Sequence, residues 1–291
     1  MNHYPKNLYW VRRALFYYIL YDIIGLQLDF ILFRFFGVRY DPNLGIFLAP
    51  FGFPITMAAI SMAIEFKTNK DPECLVDWKI WGLIAPIMFV LWAIGYMMIG
   101  HLADHSMARV LNSTFDRFIP FDHYWVFFYL SVYPLFLLPY FYVKSGRGLI
   151  TLTFGYFIML TISYTIFVVM PVVMYTRPVL QTTDFSSWCM NAVYGQDPLW
   201  NCMPSTHCGV AILSAVALFR DNRKFGIWAI LTALIIGAST LFTKQHYIVD
   251  MLAGYTLGLL VYWTVYRIIE PKIPKKIPMP KSLHVDDVDI S

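Results

Sequence analysis

Residues 225–268 read FGIWAILTALIIGASTLF, then TKQH, then YIVDMLAGYTLGLLVYWTVYRI. Two apolar runs of 18 and 22 residues flank four mostly polar ones. A helix needs about 20 apolar residues to cross the hydrocarbon core of a bilayer. The stretch therefore predicts a helical hairpin built for lipid, with a polar turn at one membrane boundary. Working outward, apolar runs at 80–100, 124–143 and 149–174 predict further spans, and a shorter one at 205–219 starts inside the boundary. These six runs form the predicted core. Two more precede it. Residues 14–36 carry Asp22, Asp29 and Arg34 and either span against other helices or lie at the interface. Residues 46–66 contain Pro50, Gly52 and Pro54, which predicts a kinked span. The first run follows Arg12 and Arg13 without a small-residue cleavage site, so no cleavable signal peptide is expected.

Composition agrees. The 291-residue chain is 58% hydrophobic and 14% charged, with mean hydropathy +0.57. Soluble domains carry about 25% charged residues. The fold class expected is all-α, a polytopic membrane helix bundle. It comprises N-terminal membrane segments (1–77), a six-helix core (78–268) and a disordered tail (269–291). Net charge is only +4, and the basic residues sit in short clusters between apolar runs. That pattern sets topology and excludes a nucleic-acid face. Lys67, Lys70 and Lys79, then Lys144 and Arg147, then Arg220, Arg223 and Lys224, then Arg267, Lys272, Lys275 and Lys276 fall on one side in a six-span count. That side, with the C-terminus, is expected to be cytoplasmic.

The opposite side holds the chemistry-bearing residues. They are Arg177-Pro178, then Pro204-Ser205-Thr206-His207, then Lys244-Gln245-His246 with Asp250. Ionisable groups at that depth are costly and mark a site or a pathway. His246 and Asp250 are four apart. On a helix they share a face, where the carboxylate fixes the imidazole tautomer and leaves the other nitrogen as a nucleophile. Alternatively the pair is polar glue between helices. Pro204 to His207 reads as a capped helix start, whose free N–H groups attract an anion. His207 there is either a proton donor or an interfacial histidine. Arg177 either clamps phosphate oxygens or snorkels, and Lys244 is open to the same two readings. What argues for a site is that all these groups fall on one face, with both imidazoles converging on an anion-sized gap.

In that order, Arg-Pro, Pro-Ser-x-His and His-x-x-x-Asp resemble the three motifs of the type 2 phosphatidic acid phosphatase superfamily, over residues 78–268. Residues 116–121 and 239–250 also resemble the branch with inositol phosphorylceramide synthases and bacterial lipid phosphatases. The resemblance implies an extracytoplasmic or lumenal active site and a phosphohistidine route with no metal and no cofactor. It makes His246 the nucleophile, Asp250 its orienter and His207 the general acid, with Arg177, Ser205 and Thr206 holding phosphate. Two cations of the pattern are replaced, by Met170 and Thr240, and Lys244 is positioned to stand in for one. The expected partners are a lipid phosphate, of phosphatidate or isoprenyl type, and membrane lipids. The alternative is a head-group phosphotransferase like the inositol phosphorylceramide or sphingomyelin synthases. Oligomeric state is left open. Cys189 and Cys202 share one loop and are either a disulfide or free thiols. His101, Asp104 and His105 have helical metal spacing but read better as a helix end.

Overall fold

The structure is a computed structural model and describes residues 6–69, 78–102 and 104–273. The expected tail, from residue 274 on, and Lys70 lie outside the described residues. The described chain is helical, with α1 (Lys6–Phe35), α2 (Pro42–Phe51), α3 (Phe53–Thr68) and α4 (Trp78–Leu102) leading. Then follow α5 (Val126–Leu130), α6 (Val132–Tyr142), α7 (Gly146–Val169), α8 (Phe185–Gln196), α9 (Thr206–Asp221), α10 (Arg223–Phe242) and α11 (Ile248–Thr264). Seven stretches among these residues are long and apolar enough to cross a membrane. The protein is an integral, multi-pass membrane protein. The kink expected in 46–66 is present at Gly52, where α2 hands over to α3 with Pro54 in the new first turn.

α9 is too short for the spanning set, and its burial explains why. Twelve of its 16 residues are buried, enclosed by α6, α7, α10 and α11. A helix that faces protein all round need not match lipid thickness. α11 reaches it through the small-residue pair Gly254 and Gly258. A Cβ at Gly254 would lie 2.3 Å from Ser205 O, and one at Gly258 2.6 Å from Gly209 O. Only glycine allows this backbone-to-backbone approach. The same crossing lets Ser205 N donate to Asp250 O at 3.0 Å.

Three basic clusters meet at one end of the bundle. Arg220 pairs with the Glu270 carboxylate, and Arg147 donates to the Glu270 carbonyl. The Lys144 amide reaches Asp221. The other end carries non-helical chain. The span expected over 149–174 stops at Val169, because Pro171 has no N–H to continue a helix. Residues beyond it pair instead as extended backbone: Val172 bridges both Arg109 and Asn201. The connection at 175–204 folds its own helix, α8, started by Asp184 and Ser187 capping each other's backbone groups.

Candidate active site

The start of α9 places His207. Ser205 Oγ accepts from Cys208 N at 3.3 Å and caps the helix, so the His207 side chain leaves from the first turn into the bundle. The turn between α10 and α11 places His246. Its backbone N donates to Thr240 O, and Lys244 takes a left-handed conformation (φ 53°) to complete the reversal. His246 Nε2 then lies 3.4 Å from His207 Nδ1. Both residues are 3% exposed. The rings touch directly, so the anion-sized gap expected between them is closed.

The His246–Asp250 relation also differs from expectation. α11 begins at Ile248, so His246 precedes the helix and the two do not share a helical face. Asp250 is instead the third helical residue, and its Oδ2 accepts from Tyr247 N at 2.9 Å. His246 Nδ1 lies 3.8 Å from the same oxygen, beyond a hydrogen bond. Even so, Asp250 faces Nδ1 and favours the proton there. Nε2 then accepts from His207 Nδ1–H, and His207 Nε2 accepts from Tyr129 OH at 2.8 Å.

From Tyr129 the network continues. Its hydroxyl also reaches Asp197 Oδ2 at 3.2 Å. Arg177 donates from Nη2 to that oxygen at 3.3 Å and from Nη1 to the Asp197 carbonyl at 2.7 Å. Nη2 also donates to Gln245 Oε1, beside His246, which closes a ring of side chains. Burial pushes the Asp197 carboxyl above its usual range, against the opposing pull of Arg177. Tyr129 and Asp197 escaped the sequence reading, and Gln245 carried no role in it. Each is defined by a partner 20 to 78 positions away, and no spacing rule announces such pairs.

The other residues expected at the site divide. Thr206 is beside His207, its Oγ1 buried and without a hydrogen-bond partner. Ser205 is spent on the helix cap. Lys244 donates Nζ to Ile119 O, and burial lowers its pKa. Among the described residues, buried side-chain atoms without a partner concentrate here: Arg177 Nε, Asp197 Oδ1, Thr206 Oγ1, Gln245 Nε2, His246 Nδ1 and Asp250 Oδ1. Such atoms are rare in folded proteins, and a cluster of six calls for an explanation by function.

Two cavities flank the imidazole pair. One, of about 330 Å³, meets His207 and is walled by Trp92, Tyr96, Tyr133 and Trp188, with Asp197 at its polar end. The other, of about 250 Å³, meets His246 and is lined by Asn112, Asp116, Arg117, Thr176 and Lys244. Asp116 holds its wall in place by accepting from Ile248 N at 2.8 Å.

Cys189 and Cys202 are both free, buried thiols, so the disulfide option is not taken. At the other motif weighed for metal, His105 Nε2 contacts Gly100 O at 2.8 Å and its ring stacks on Trp200. Asp104 caps the following turn, and the His101 side chain lies outside the described residues. That motif is a helix end.

No curated protein and no solved structure matches the chain. With Arg177, His207, His246 and Asp250 gathered at one end of a membrane bundle, the family match falls where the geometry does: residues 149–274 match the model of the PAP2 superfamily, a family whose members are phosphatases or phosphotransferases.

Proposed function

We propose that the protein is a lipid phosphatase that works through a phosphohistidine on His246. The observation that carries the reading is the His207–His246 contact, set among six unpartnered buried polar atoms. His246 Nε2 holds the lone pair because Asp250 favours the proton on Nδ1. A phosphate arriving beside the pair exchanges the imidazole–imidazole contact for its own. Nε2 attacks phosphorus while His207, made cationic by the acidic proton that the phosphate monoester brings, gives its Nδ1 proton to the leaving alkoxide. Water then opens the phosphohistidine, with His207 as base. Arg177 turns part of its fork from Gln245 and Asp197 to the phosphate oxygens, and Thr206 Oγ1 and Lys244 add donors. Ser205 serves by holding the helix start in register. The substrate is a phosphatidate or an isoprenyl phosphate, no metal or cofactor takes part, and no nucleic acid is bound. The site lies on the extracytoplasmic or lumenal side, because the basic clusters gather at the opposite end.

The paired cavities favour a second reading, a head-group phosphotransferase. A donor lipid on the aromatic side and an alcohol acceptor on the polar side would share the phosphohistidine between them. Incubating purified protein with phosphatidate, and separately with a labelled phospholipid plus an alcohol acceptor, decides the matter. Free phosphate, abolished in His246→Ala and in His207→Ala, is the expected result. Label transfer without phosphate release selects the transferase. Full turnover by His246→Ala rejects both.

A further inference from the structure

Behind the imidazole pair, His246 and Asp250 meet a third side chain, Cys202, that the phosphatase reading leaves unused. Cys202 Sγ, a ring nitrogen of His246 and a carboxylate oxygen of Asp250 lie within 4.8 Å of one another, all on buried residues. They come from three separate pieces of chain: the extended segment before α9, the α10–α11 turn and the first turn of α11. Two of the three residues present an atom that nothing in the protein uses. His246 Nδ1 and Asp250 Oδ1 are buried without a hydrogen-bond partner. Cys202 makes only long sulfur contacts, to Leu199 O at 3.4 Å and Gln245 O at 3.8 Å.

We infer that Cys202, His246 and Asp250 form an inhibitory site for a soft divalent cation, zinc above all. Thiolate, imidazole and carboxylate are a donor set that zinc takes, in a tetrahedral arrangement with ligand atoms about 3.3–3.6 Å apart. His246 Nδ1 and the Asp250 carboxylate are already 3.8 Å apart, and all three ligand atoms lie within 4.8 Å of one another, so side-chain shifts of about 1 Å close the set. Charge balances as well. One thiolate and one carboxylate neutralise a divalent ion, which suits a buried site at a membrane boundary. Magnesium and calcium prefer all-oxygen ligands and are disfavoured here. The polar cavity lined by His246 and Tyr247 is the entry path.

Binding releases one proton, from the Cys202 thiol, as the metal–sulfur bond forms. The consequence for His246 follows from its two nitrogens. A neutral imidazole that gives its Nδ1 lone pair to a metal must carry its proton on Nε2. The Nδ1 proton leaves and Nε2 gains one, so the ring stays neutral overall. Nε2 then has no lone pair for phosphorus. Inhibition rests on the reading of His246 as nucleophile, whereas the binding site itself does not.

The test uses purified, chelator-washed full-length protein with zinc chloride, and cobalt chloride as a spectroscopic probe. Wild type should bind one zinc and lose phosphate release as it does so. With cobalt it should show a near-ultraviolet thiolate-to-metal band. Cys202→Ser should keep its activity without zinc, lose the band and require at least about 10–100-fold more zinc for the same inhibition, since even an outer contact is worth that much in affinity. Cys202→Ala guards against a serine-specific effect. Wild type that binds no zinc, or Cys202 variants with unchanged zinc sensitivity, would overturn the inference. Stoichiometric zinc with a cobalt band but no inhibition keeps the site and removes the tautomer argument along with the nucleophile assignment.

Discussion

Gly254→Ala tests whether the crossing of α9 and α11 sets the active-site geometry. The added Cβ would sit 2.3 Å from Ser205 O, where real Cβ atoms essentially never come within 3.0 Å. The obstacle is backbone at a helix cap and cannot swing away. The helices must therefore part by at least about 0.7 Å. The Ser205 N to Asp250 O bond, 3.0 Å long and across this contact, stretches out of range at a cost of about 1 kcal/mol. His207 rides on α9, while Asp250 and the turn bearing His246 ride with α11. The same displacement thus opens the distance between His246 and His207, the proposed nucleophile and acid. Misplacement by about 1 Å costs on the order of 100-fold in rate, so turnover should fall by that order while the protein stays folded. Gly155→Ala is the control. It meets the same α9, but its Cβ would lie 3.4 Å from Leu213, an ordinary contact. Phosphate release from short-chain phosphatidate, with thermal unfolding of both purified variants, reads the result. If Gly254→Ala turns over within about threefold of Gly155→Ala, the crossing does not position the site and the argument fails.

Tyr129→Phe removes the hydroxyl 2.8 Å from His207 Nε2 and should lower kcat on the order of 10-fold, or about 1–2 kcal/mol, with KM little changed; a change in KM alone would assign Tyr129 to substrate binding. Asp197→Asn should alter the pH dependence of stability. Because burial raises the Asp197 pKa in the folded state, the native protein binds the extra proton. Its contribution is full below the unfolded value and is lost as pH rises through the folded one. Wild type should therefore lose stability relative to Asp197→Asn across that window, and parallel unfolding profiles would contradict the cause assigned. Gly195→Ala, at an exposed α8 position with nothing within 4 Å of the new Cβ, should stabilise that helix by about 0.5–1 kcal/mol without altering turnover; lost turnover would mean that α8 must move during catalysis.

Most of the fold was legible because the bilayer imposes a length rule on the helices that touch it. Runs such as 225–242 coincide with the observed helix to within two residues. The rule fails where lipid is not the neighbour. α9 is short because protein encloses it, and the end of α7 was misjudged because residues 170–174 are apolar for a different reason. Val172 and Met174 pack with Cys202 and Tyr247 under the site rather than against lipid, so hydropathy alone extended the span past Pro171. α8 was hidden because its capping partner at the third position is Ser187 in place of the usual Glu or Gln.

The site divides along the same line. The sequence singles out His207, His246, Asp250 and Arg177, which the structure brings together, because short local spacing marks them. The error over His246 and Asp250 was one of register: a four-residue interval was read as one helical turn, while the chain spends those residues on a reversal and a cap. That difference has a chemical consequence. On a shared helical face the carboxylate would hold Nδ1 permanently. In the cap arrangement Asp250 gives one oxygen to Tyr247 N and keeps the other unpartnered. His246 is thereby biased toward the nucleophilic tautomer but not locked in it. The same looseness lets His246 meet its neighbour at 3.4 Å and, in the proposed mechanism, part from it when a phosphate arrives. It is also what leaves Nδ1 open to a competing cation. In the proposed mechanism, catalytic readiness and the inferred sensitivity to soft metals are thus two results of a single local fact, the start of α11 at Ile248.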